Sequence, residues 1–123
     1  MVVSYASSPA AEVFFASEPL TESPTASIVA RDMCFRQIEF VGILRNSPHE
    51  ELARAFVDYM LDTRFQEDIP LQMFVYPANA DAALPELFVQ FAQTPAEPAL
   101  IAPDAIEANR DEWISAWTNV MLR

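Results

Sequence analysis

Hydrophobic residues change their spacing along these 123 residues, and each spacing predicts an element. The opening run, Met1-Val2-Val3-Ser4-Tyr5, is β-branched and apolar, as in a buried strand. Ser7-Ser8-Pro9 predicts a helix start, with Ser8 as N-cap and Pro9 in the first turn, and residues 10–16 supply a short helix. Residues 18–24 turn polar and proline-bearing, which predicts a surface connector. From Arg36 to Leu44 the pattern alternates through Ile38 and Phe40 and then becomes continuously apolar. Such a pattern suits a strand passing from a half-exposed to a buried setting.

Asn46-Ser47-Pro48-His49-Glu50 is the strongest local signal, with Ser47 as cap, Pro48 at the first helical position and Glu50 closing a capping box. Leu52, Phe56, Val57, Met60 and Leu61 then recur at helical spacing. Arg54 and Asp58 fall on the opposite face, placed to pair at i, i+4. Asp62 is the expected cap of a further short helix through Phe65 and Gln66. Leu71 to Tyr76 is another apolar, aromatic segment closed by Pro77, and Pro85 to Gln93 predicts one or two helical turns. Three prolines make residues 95–103 an irregular connector. A last helix is expected over residues 104–122, with Ile106, Trp113, Ile114, Trp117, Val120 and Met121 as its apolar stripe and the two tryptophans as core.

Composition narrows the function classes. A single glycine, Gly42, against ten prolines leaves no Gly-rich nucleotide motif, so no cofactor is expected. A net charge of −11 argues against nucleic acid and against anionic membranes. One cysteine, Cys34, and one histidine, His49, make neither a disulfide nor a zinc-ligand pattern. The N-terminus lacks the basic and apolar regions of a signal peptide, and it reads as the middle of a strand. No Gly-x-Ser-x-Gly or Cys–His spacing suggests catalysis, and a non-enzyme is expected.

Three pieces in order carry a resemblance. Val3-Ser4-Tyr5-Ala6-Ser7-Ser8-Pro9-Ala10, then Ile69-Pro70 followed by an aromatic and Tyr76-Pro77, then Arg110-Asp111-Glu112-Trp113-Ile114-Ser115-Ala116-Trp117, together resemble the C-terminal part of periplasmic thiamine-binding proteins. The helix after Ser47, with Phe65-Gln66, is similar to a run shared by related binding proteins. The resemblance implies an α/β chain forming part of a type II periplasmic-binding-protein fold. Residues 1–36 and 77–123 would then be elements of the C-terminal lobe, and residues 37–76 a hinge-crossing segment with N-terminal-lobe elements.

The same resemblance implies a function. The parent would be the periplasmic or extracellular solute-binding component of an ABC importer, taking up thiamine or a thiamine phosphate and meeting a permease. Tyr5 and Ser8 fall where the family binds its ligand, and Phe74 where it carries a stacking aromatic. A thiamine ligand asks for such aromatic faces around a flat cation. Ala11 stands where the family can place a second aromatic, so stacking is expected to be weaker. Tyr5-Ala6 lacks the adjacent tyrosines of iron-binding relatives, so no metal is expected. One bank of a cleft should bind weakly or not at all alone. Unpaired lobe pieces should favour a homo-oligomer, with segments exchanged. The rival reading is a free-standing acidic α/β protein-interaction module.

Overall fold

The computed structural model describes residues 2–122, so Met1 of the expected opening strand lies outside the described residues. Five helices follow in order: α1 (Ser8–Phe14), α2 (Glu50–Leu61), α3 (Thr63–Met73), α4 (Glu86–Phe91) and α5 (Pro103–Met121). None is long and apolar enough to cross a membrane.

Helix starts depart from expectation where a side chain has other work. Ser7, not Ser8, takes the N-cap position of α1, and its side chain caps nothing because Oγ donates to the Phe74 carbonyl at 2.5 Å. Helix α2 begins after His49, and Ser47 Oγ accepts only a long contact from the His49 N–H, at 3.4 Å. The capping box does not form. Glu50 instead accepts from Arg54 Nη2 at 2.6 Å, so the arginine pairs backward rather than with Asp58. An acid four residues ahead of a base is the favourable order on a helix. Both side chains are well exposed, which limits the pair to a few tenths of a kcal/mol.

Asp62 behaves as its sequence predicts, with Oδ1 accepting from the Arg64 N–H at 2.9 Å. Helix α3 runs further than expected, through a buried Pro70 to Met73. It stops at Phe74, whose φ of 55° is left-handed, with its N–H donating to the Pro70 carbonyl at 3.0 Å. The aromatic segment expected from Leu71 is therefore helical for its first three residues.

Two helix pairs pack, α1 on α4 and α2 on α3. The first holds the best-buried side chains, Ala10 at 0% and Phe88 at 1% exposure. Helix α5 is in neither pair and buries no residue.

The expected α/β architecture, a partial type II periplasmic-binding-protein fold, is not what this chain forms. The described residues are 45% helix with no sheet. Among the described residues the pairing is one isolated parallel bridge, Phe35 with Ala99, where the Ala99 N–H donates to the Cys34 carbonyl at 2.7 Å. Beside it, Arg31 pairs with Glu97 on the surface. The physical reason is partnership. A strand satisfies its N–H and C=O groups only through a neighbour. The strand-like runs at residues 2–5 and 36–44 are rich in apolar residues, yet among the described residues no strand lies beside either. Val3, Phe40 and Leu44 remain 76%, 89% and 84% exposed.

Accessible surface records the consequence. The chain exposes 10263 Å². A folded monomer of its 13.8 kDa mass ordinarily exposes about 6,600 Å².

Candidate functional site

Ser7 joins the two parts of the chain that sequence reasoning singled out. Pro9 fixes the first turn of α1, and the Ser8 N–H donates to the Tyr5 carbonyl at 3.0 Å, so Tyr5 and Ser8 share one tight turn. Ser7, 5% exposed in the middle of that turn, reaches the Phe74 carbonyl through its hydroxyl. The left-handed turn at Phe74 is thereby tied to the start of α1, and Tyr5, Ser8 and Phe74 fall in one neighbourhood.

Within it their settings differ. Tyr5 is 71% exposed, its ring free of the aromatic contacts described below. Ser8 is half-buried, and its hydroxyl lies 2.7 Å from that of Ser4. The ring of Phe74 sits among others: Phe15 at 5.2 Å, Phe14 at 5.4 Å, edge-on, and Phe88 stacked at 6.3 Å. Tyr76 meets Phe88 edge-on at 5.5 Å. Its hydroxyl oxygen is buried without a hydrogen-bond partner among the described residues.

Helix α1 is pinned from its other side by residues 23–27. Ser23 Oγ donates to the Pro9 carbonyl at 3.2 Å, Ser27 Oγ to the Ala6 carbonyl at 3.1 Å, and Thr25 Oγ1 to Glu12 at 2.7 Å. The connector expected there is a strap along the helix.

A second polar hub supports the turn beyond Phe74. Gln66, 5% exposed, donates Nε2 to the Met60 carbonyl at 2.7 Å and accepts from the Ala78 N–H at 2.6 Å. Asn79 Nδ2 reaches the Leu61 carbonyl at 2.8 Å. Together these contacts fasten the Tyr76–Asn79 stretch across the α2–α3 junction.

Sequence reasoning missed Ser7, Phe14 and Phe15. The signal for the phenylalanines was two adjacent aromatics closing a short helix, of which at least one must face inward. Phe15 lies one helical turn beyond Ala11 and supplies a ring beside Phe74. The surface this creates is an aromatic ledge, open to solvent at Phe15, which is 71% exposed. Its chemistry is that of stacking against a flat ring, with no acid–base pair or ligand cluster beside it. Two shallow depressions lie elsewhere, along Ile106, Arg110, Trp113, Ile114 and Trp117 of α5 and around Ser47–Leu52. The tryptophans expected as core are 42% and 51% exposed, because among the described residues α5 is in neither packed helix pair.

Comparison with known proteins gives the chain relatives. It is 32% identical over all 123 residues to the thiamine-binding periplasmic protein of Salmonella typhimurium and 29% identical over the same length to that of Escherichia coli K12. In each case it spans 36% of the relative, about a third of its length. No family model and no solved structure matches the chain.

Proposed function

We propose that this chain is a segment of the thiamine-binding component of an ABC importer, which takes up thiamine or a thiamine phosphate and passes it unchanged to a permease. The observation that carries the reading is similarity along the whole chain to two proteins that are each thiamine-binding periplasmic proteins. The ledge of Phe14, Phe15 and Phe74 supports it, because aromatic faces attract a flat cationic ring. So does the net charge of −11, which draws cations toward the chain. The reading carries with it a periplasmic or extracellular location for the whole protein.

The chain by itself binds weakly. Ligand pockets bury most of a small molecule, whereas Tyr5 and Phe15 stand open to water. Saturation-transfer NMR on the isolated chain, with thiamine, thiamine monophosphate and cytidine as a neutral control, is the test. Transfer to thiamine is expected, with a dissociation constant of roughly 0.1 to 10 mM and none of comparable strength for cytidine. No transfer to thiamine at about 10 mM, or equal transfer to both, rejects the reading.

A further inference from the structure

The segment from Ile38 to Leu44 has the composition of a sheet interior and the surroundings of a loop. Ile38, Phe40, Val41 and Leu44 are 60%, 89%, 44% and 84% exposed. Among the described residues, no hydrogen bond engages the backbone of residues 37–43. Nothing lies within 4 Å of the position a Cβ on Gly42 would take. The run ends in a turn, where the Leu44 carbonyl accepts from the Ser47 N–H at 3.2 Å and Asn46 turns left-handed with φ 63°. These seven residues, five of them apolar with Glu39 and Gly42 between, leave their donors and, up to the Leu44 carbonyl, their acceptors unpaired, and so form a template for another strand.

The order of side chains identifies which strand. Laid antiparallel against its own copy with Gly42 opposite Gly42, the segment sets Val41 against Ile43 and Phe40 against Leu44. The same register sets Glu39 against Arg45, twice by symmetry. Opposite charges directly across two strands stabilise a pairing, and like charges oppose it. Moving the register by three residues in total, so that Arg36 faces Arg45, brings like charges together. The stretch from Arg36 to Arg45 holds two arginines and one acid, so it carries little of the negative charge that elsewhere repels a second copy.

We propose that residues 39–45 form an antiparallel strand pair with a second copy of this chain, centred on Gly42 and set in register by two Glu39–Arg45 pairs. The interface is isologous, the arrangement of a two-fold dimer. Each copy exposes roughly 3,600 Å² more than a compact monomer of its mass, more than the share per partner of a permanent interface, so the pair has further surface to recruit around the dyad. The proposal concerns the 123-residue chain by itself, and its test reads mass rather than ligand, so its failure is distinguishable from that of the thiamine reading.

Sedimentation of the full chain from about 1 to 100 µM tests it. A species of twice the 13.8 kDa monomer mass is expected. Glu39 and Arg45 are both exposed, so charge reversal leaves the monomer intact. Glu39→Arg and Arg45→Glu are each expected to weaken the dimer about tenfold or more, and the double variant to restore it. In a Cys34→Ser background, Gly42→Cys is expected to cross-link on oxidation and Val41→Cys is not. A monomer throughout the range overturns the proposal. So does a dimer or larger polymer indifferent to the charge reversals, as a dimer held by the α5 stripe would be.

Discussion

Gln66 shows how much one buried side chain holds in a chain with so small a core. Its amide satisfies a carbonyl at the end of α2 and an N–H beyond Phe74 at once. Gln66→Ala removes both partners and leaves those backbone groups in a site that is 5% exposed, at a cost of about 2–3 kcal/mol. Gln66→Glu keeps the acceptor but loses the donor and sets a carboxylate against the Met60 carbonyl in a buried site, so at pH 7 its loss is expected to be larger. Urea titration followed by circular dichroism compares the two, and a smaller loss for Gln66→Glu than for Gln66→Ala would show that the contact with the Met60 carbonyl contributes little. The sequence hid this role, because the partners of a buried glutamine depend on which loop passes over it. It hid Ser7 in a similar way: Ser7 and Ser8 both suit a cap, and the choice turned on a carbonyl 67 residues away. Tyr5 and Ser8 were singled out as a strand end and a helix cap, and the structure joins them in one turn instead. Phe74 came from the resemblance alone.

Elements were read best where their ends are marked locally. Asp62 announces α3, the proline before Glu86 announces α4, and Pro103 opens α5. The apolar stripe of α5 was legible as well, but periodicity states only that a face wants cover. Trp113 and Trp117 were expected in a core that the chain does not place against them. A mutation reads the difference. Truncating a buried tryptophan costs about 3–5 kcal/mol, whereas Trp113→Ala and Trp117→Ala are each expected to cost under about 1 kcal/mol here. Thermal melting at low micromolar concentration measures it, and a loss above about 3 kcal/mol would show α5 covered. The runs at residues 2–5 and 36–44 failed in the opposite sense. Their pattern is that of strands, and pattern cannot supply the neighbouring strand that makes a sheet.

At the scale of the whole molecule, the resemblance to thiamine-binding proteins was recoverable from ordered motifs, and comparison along all 123 residues bears out the likeness. The α/β fold that it implied was not recoverable, because a sheet is a property of strands together and the chain spans about a third of its relatives. What the chain does close, it closes over a long distance, and this has a kinetic consequence. Helices α2 and α3 are neighbours in sequence and can dock within microseconds. The α1–α4 cluster and the Ser7–Phe74 hydrogen bond must first bring together residues 67 positions apart, against the entropy of that loop. Collapse of Phe14, Phe74 and Phe88 is non-directional and is expected to come first, with the short, oriented hydroxyl bond forming once the rings are seated. Ser7→Ala is therefore expected to leave the refolding rate within about twofold and to speed unfolding roughly five- to tenfold in stopped-flow measurements. A mutant whose loss appears in the refolding arm would show the opposite order, with the hydroxyl latching before the aromatic rings gather.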